Sequence, residues 1–204
     1  ARAAVAEIER WPRGGEPFAL RSRMQAITLE VILGAVFGVT EGPRHDALRE
    51  TLAAVLGRMR RPLASAATAA SRPRGSHAPL RRLLDRSDAL LAAEIAARRA
   101  DPELSEREDV LALLLSARFE DGTAIDDAEL RDQLMTLLVA GHETTAMALA
   151  WAFDLLLHDP ERLDRARAGE DAYLDAVGTE ALRLRPVITS VGRRIARPLA
   201  LGGL

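Results

Sequence analysis

Six consecutive residues, Ala140-Gly141-His142-Glu143-Thr144-Thr145, set a proton-exchanging carboxylate beside a hydroxyl in the middle of an otherwise apolar run. Leu134, Leu137, Leu138 and Val139 precede them, and Met147, Leu149, Trp151 and Phe153 follow. A glycine inside a helix costs about 1 kcal/mol relative to alanine. A threonine hydroxyl competes for the carbonyl four residues back, which for Thr144 is that of Ala140. Together they would let a helix open locally beside Glu143 and leave room next to its axis. The same residues also suit a helix that merely bends and packs its threonines on a neighbour, and the residues alone leave both readings open. A zinc-protease helix is excluded: it needs a second histidine four residues after His142, and position 146 is alanine.

Two further constellations follow. Glu180 and Arg183 stand three apart in Thr179-Glu180-Ala181-Leu182-Arg183-Leu184-Arg185-Pro186. That spacing puts them on one face of a helix, where they can pair. An exposed pair of this kind is common and weak; a buried one would need partners beyond the other charge. Arg193, with Arg194 beside it, offers a guanidinium suited to clamp a carboxylate, or simply a solvated arginine.

The elements that must position these groups are helical by composition. Of 204 residues, 48% are hydrophobic but only 3% aromatic, and Ala, Leu and Arg dominate. These are strong helix formers, whereas the residues that favour strands are few. The chain is long enough for one domain with a sizeable core. Its net charge of -2 gives no field to gather nucleic acid. Cysteine is absent, which excludes disulfides, thiolate metal sites and cysteine nucleophiles within these residues. No uncharged apolar run reaches membrane-spanning length. The start lacks both Met and a secretory signal pattern, and the chain reads as an internal piece of a longer protein.

Periodicity predicts helices over about 1–10, 18–37, 44–59, 80–99, 110–115, 126–158, 160–168 and 171–184. The second, with Met24, Ile27, Val31, Ile32 and Val36 near helical spacing, should be buried on several sides. Ser105 and Glu108 have the spacing of a capping box, as do Asp126 and Glu129. An uninterrupted helix from Asp126 to His158 would span about 50 Å at the standard rise. Asp159-Pro160-Glu161 has the cap, first-turn proline and early acid of a new helix. The stretch from Arg58 to Arg82 holds seven arginines and no acid, and reads as a solvated connection or as a basic contact surface. It has no interleaved aromatics to stack on bases. Beyond Pro186 the pattern changes, and Leu199-Ala200-Leu201-Gly202-Gly203 looks like a strand entering a turn.

In order and spacing, these features resemble the cytochromes P-450, the haem-thiolate monooxygenases. Ala140 through Thr145 matches the family's central-helix motif of a small residue, glycine, any residue, an acid and threonine. Glu180-x-x-Arg183 matches its Glu-x-x-Arg helix, at a family-like interval beyond Thr144. Arg193 stands ten residues before Gly203, where the family places an arginine for a haem propionate.

The resemblance implies a mainly α, multi-helix fold with a long central helix and a few short C-terminal strands, all of 1–204 being part of one such domain. It implies that Thr144 helps position dioxygen and its water, that Glu143 takes part in relaying protons, and that Ala140 and Gly141 leave space beside the haem. Glu180 and Arg183 would belong to a buried supporting network. The cofactor would be haem, and the reaction the insertion of one oxygen atom into a small organic substrate. Electrons would come from a ferredoxin or flavoprotein reductase. The charge balance points to no nucleic-acid partner and no membrane segment is evident, so the expected setting is cytoplasmic and bacterial. The family's iron ligand is a cysteine thiolate, which this chain lacks, so the residues alone should be inactive. The alternative is a self-contained helical binding or regulatory protein whose motif matches are chance.

Overall fold

The computed structural model describes residues 2–59, 78–192, 194 and 197. Among these, the helices are α1 (Arg2–Ile8), α2 (Leu20–Phe37), α3 (Pro43–Met59), α4 (Ala78–Arg99), α5 (Val110–Ser116), α6 (Asp127–Leu157), α7 (Pro160–Arg167) and α8 (Asp171–Leu184). A 3-10 turn, Leu104–Glu106, precedes α5. No described helix is long and apolar enough to cross a membrane.

Local chemistry sets the boundaries. The second helix, α2, stops at Gly38, whose φ of 61° is left-handed and whose N–H closes on the Gly34 carbonyl at 2.9 Å, a common helix ending. A Cβ at Gly38 would also lie 2.7 Å from side-chain atoms of both Arg107 and Asp109. Glycine is therefore required there for space as well as for backbone angle. Helix α6 begins where Asp126 Oδ1 accepts the Glu129 N–H at 2.8 Å, as a cap should. Helix α7 begins where Asp159 Oδ1 accepts the Arg162 N–H at 3.0 Å, with Pro160 in its first turn, a position that needs no N–H.

The box expected from Ser105 and Glu108 is not used. Ser105 lies within the 3-10 turn and Glu108 just beyond it, and α5 is capped instead by Asp109, whose side chain accepts the Ala112 N–H at 3.0 Å. Asp109 sits immediately before the apolar run, where a cap can reach the exposed N–H groups of the first turn.

The chain forms two compact units, residues 1–146 and 147–204. The first has a continuous apolar core: Leu29, Leu33, Val36 and Phe37 from α2, Leu48, Leu52 and Leu56 from α3, Leu91 and Ile95 from α4, Leu111 and Leu115 from α5, and Leu130, Leu134 and Leu138 from α6. Fully burying each such side chain stabilises the fold by about 1.5 to 3 kcal/mol. Helix α6 buries every fourth residue, Leu130, Leu134, Leu138, His142 and Ala146, which turns one face inward over more than four turns. Helix α2 is buried less evenly than its pattern implied. Met24, Thr28, Leu29, Leu33, Val36 and Phe37 are inside, whereas Val31 is 57% exposed on the far side.

Beside this core lies a charged lock. Arg98, 5% exposed, donates to both Asp109 oxygens and, at 2.5 Å, to the Phe37 carbonyl left open at the end of α2. Arg107 Nε adds a second donor to Asp109 at 2.9 Å. Burial alone would raise the Asp109 pKa, but the hydrogen bonds from Arg107, the Ala112 N–H and Arg98 outweigh it and hold the carboxyl below its ordinary 3.8, because each favours the charged form.

In the second unit α7 packs against α8. Arg165 stacks on the Tyr173 ring at 4.1 Å and Arg185 lies over Trp151 at 5.5 Å, both within cation–π range. The expected C-terminal strands are not seen among the described residues. Residues 187–192 are irregular, with Ile188 and Val191 more than 60% exposed. A strand exists by pairing its backbone with a neighbour, and apolar residues alone do not supply one. The segment 199–203 lies outside the described residues, as does most of the arginine-rich stretch. Its flanks are helical: Arg58 lies in the last turn of α3, and Arg81 and Arg82 lie in α4.

Candidate functional site

The centre of α6 is gripped from one side by a single stripe of α2. Arg21, Gln25, Thr28 and Ile32 recur at spacings of four, three and four, which places them along one helix face. Arg21 Nη2 donates to Glu143 Oε1, and Gln25 Nε2 donates to Glu143 Oε2 at 2.7 Å. Thr28 Oγ1 lies 2.9 Å from His142 Nδ1, with both residues buried. Ile32 faces Gly141, where a Cβ would come within 2.9 Å of its Cδ1. About three turns of α2 thus engage three consecutive residues of α6.

Helical geometry then fixes what lies opposite. At roughly 100° per residue, Ala140 and Thr144 each stand about 160° around the axis from His142. Ala140 is exposed and Thr144 half-buried, and Leu137, on the same face, is 38% exposed. This face therefore sets the Thr144 hydroxyl beside the small Ala140 and the apolar Leu137. Thr144 Oγ1 donates to the Ala140 carbonyl at 2.5 Å, the bond its spacing implied. The oxygen's lone pairs remain available to accept.

Of the two readings open for Gly141 and Thr144, an interruption is not seen: α6 runs without a break from Asp127 to Leu157. The Thr144 bond to the Ala140 carbonyl is made within the continuous helix. The space freed by the missing Cβ of Gly141 is taken by Ile32. Gly141 thus serves close packing of α2, while the room on the opposite face comes from the smallness of Ala140.

His142, with Nδ1 on Thr28, is committed to the α2 side and is not directed at the Thr144 face. The remaining described histidines lie elsewhere. His45 Nε2 is 2.8 Å from Glu30, and His158 follows the end of α6 with Nδ1 on the Asp154 carbonyl. Among the described residues no cluster of His, Cys, Asp or Glu is arranged to hold a metal ion. A cavity of about 490 Å³ opens at the other end of α2, lined by Gly38, Thr40, Arg44, Glu94, Arg98 and Arg107 among others, and none of the candidate residues borders it.

Glu180 and Arg183 pair as their spacing implied, through two bonds of 2.7 Å from Nε and Nη2 to the two carboxylate oxygens, a forked geometry. The arginine holds the Glu180 carboxyl below its ordinary value, and the carboxylate raises Arg183. The burial expected for this pair is not found: the side chains are 53% and 66% exposed, because no described residue covers that face of α8. Arg193 lies outside the described residues. The motif-based reading missed Arg21, Gln25 and Thr28. Their periodicity on α2 was legible, but nothing local said that this stripe meets the centre of α6.

The family model described as "Cytochrome P450" matches residues 2–204. Cytochrome P450 135B1 of Mycobacterium tuberculosis is 44% identical over 215 residues, covering 100% of this chain and 45% of that protein. Cytochrome P450 137 of the same species is 42% identical, covering 97% and 43%. The chain spans somewhat less than half the length of these relatives. Among solved structures, a retinoic acid-bound cyanobacterial protein, CYP120A1, superposes with a TM-score of 0.68 at 26% identity, over 91% of this chain and 43% of that one. Ligand-free cytochrome P450 TbtJ1 shares the fold at a TM-score of 0.76 and 23% identity, over 100% and 49%.

Proposed function

The chain belongs to the cytochrome P450 family, and on that premise we propose that it supplies the oxygen-handling half of a haem-dependent monooxygenase domain acting on a small organic substrate. The observation that carries this reading is the division of α6 into two faces. One face is fixed by α2 through Gly141, His142 and Glu143; the other presents Ala140 and the Thr144 hydroxyl.

The residues present fit one side of a flat apolar cofactor. Ala140 projects only a methyl, Leu137 offers apolar surface beside it, and Thr144 provides a hydroxyl next to them. Among the described residues they include no iron ligand for that face. The chain contains no cysteine, His142 is turned to Thr28, and His158 is bonded to the Asp154 carbonyl. The thiolate would therefore come from sequence outside these residues, and Arg193 is the candidate partner for a propionate.

Haem, when bound, supplies the redox chemistry that inserts one atom of dioxygen into the substrate with two electrons from a ferredoxin or flavoprotein reductase. The chain's own residues prepare the site. Ala140 leaves room over the cofactor, and the Thr144 oxygen accepts a hydrogen bond from a water or a protonated group there. Glu143, one position earlier, exchanges protons with the same region. Glu180 and Arg183 brace the cofactor-binding part of the domain from α8.

The test is spectroscopic. The 204-residue chain mixed with haem should give no thiolate-type carbon monoxide difference spectrum, whereas the full-length protein should give one. That spectrum from the short chain, or its absence from the full-length protein, would overturn the reading.

A further inference from the structure

Glu143 has a neighbour on α2 for each of its oxygens. Arg21 takes Oε1 and Gln25, one turn further along α2, takes Oε2 at 2.7 Å. One donor fixes a point; two donors on different oxygens fix the plane of the carboxylate. Glu143 stands about 100° around α6 from Thr144, so the clamp holds its head group towards α2 and to one side of the hydroxyl. The carboxylate side chain is 26% exposed and Arg21 40% exposed, so the grip sits at the edge of the core, where water still reaches it. The backbone beneath cannot drift, because Thr28 holds His142 and Ile32 fills the space at Gly141.

We propose that Arg21 and Gln25 are positioning residues for Glu143, which acts in proton delivery only while this α2 clamp orients its carboxylate. The inference rests on the proton-exchanging role given to Glu143 above. Neither residue touches the reacting atoms; both act through the acid. Their loss therefore reproduces the loss of the acid and adds nothing to it.

Two measurements on the full-length protein test this. The first needs no turnover: the infrared carboxylate band of Glu143, isolated by subtracting the Glu143→Gln spectrum, should shift in Arg21→Ala and in Gln25→Met. It should stay near its original position in Arg21→Lys, which keeps a cationic donor. The second is the solvent deuterium isotope effect on oxygen consumption. Arg21→Ala and Gln25→Met should each raise it towards the Glu143→Gln value, and neither should raise it further in a Glu143→Gln background. Melting temperatures within a few degrees of the parent show that the variants fold, and the near-isosteric Gln25→Met carries the test if Arg21→Ala does not. An unmoved infrared band, or isotope effects that add to that of Glu143→Gln, would overturn the clamp. Failure of the full-length protein to bind haem would instead overturn the functional reading on which it rests, with the infrared result still deciding whether the clamp forms.

Discussion

The Cδ1 of Ile32 occupies the place where a side chain on Gly141 would begin: a Cβ there would lie 2.9 Å from it. This contact decides what the central glycine does. It admits α2 closely enough for Thr28, Gln25 and Arg21 to reach the next two residues of α6.

Gly141→Ala gains about 1 kcal/mol of helix propensity and loses part or all of it in displacing Ile32. Ile32→Val removes the obstructing methyl. Urea unfolding of the two single variants and the double should show a favourable coupling of about 0.5 to 1 kcal/mol, with Gly141→Ala stabilising once Ile32→Val is also present. Simple additivity would show that the close approach is not felt in solution.

Thr144→Ala should uncouple reductant use from product formation in the full-length protein by roughly tenfold, less than positioned proton-handling groups usually contribute. Thr144→Ser, which keeps the hydroxyl, should retain most of the coupling. Product formed per reductant consumed is the measurement, and tight coupling in the alanine variant would remove Thr144 from the mechanism.

Asp109→Ala leaves Arg98 buried without its carboxylate and strips the cap from α5. The expected loss is about 3 to 5 kcal/mol, the range for breaking a buried ion pair. Chemical denaturation midpoints would report it, and a loss of only a few tenths of that range would mean that the lock contributes little.

The same carboxyl predicts an acid limb of stability. Its folded pKa lies below its ordinary 3.8, so the folded state releases the proton more readily than the unfolded chain. The stabilisation is therefore fully present above about pH 4 and is lost as pH falls through the folded pKa. Melting temperature followed downward from neutral pH should drop once this carboxyl begins to protonate, and the drop should be shallower in Asp109→Asn.

Glu180→Gln should leave the melting temperature of the 204-residue chain unchanged, because the pair with Arg183 is solvent-exposed there, and exposed pairs contribute little. In the full-length protein the same substitution should abolish haem retention, read from the Soret absorbance after gel filtration. Full retention would confine this pair to surface chemistry.

Helix positions were legible because Leu, Ala and Arg recur at the helical period between explicit stop signals such as Gly38, Gly42-Pro43 and Asp159-Pro160. The capping box at Ser105 was misread because its spacing is satisfied by chance, whereas Asp109 won by standing next to the first turn it caps. The candidate site was half legible. Glu143, Thr144, Glu180 and Arg183 show themselves by type and spacing, but the partners of Glu143 lie 118 and 122 residues away, and no local pattern links them.

Sequence alone determined the family, the long central helix, the Thr144 bond to Ala140 and the Glu180–Arg183 pair, since each depends on residues a turn apart or on a motif in order. Tertiary packing decided that α6 stays closed, that Gly141 receives Ile32, and that Glu143 is held by α2. The physical reason is one of range. Spacing along a helix fixes which residues share a face, whereas the surface that face meets is fixed only when the whole apolar core closes.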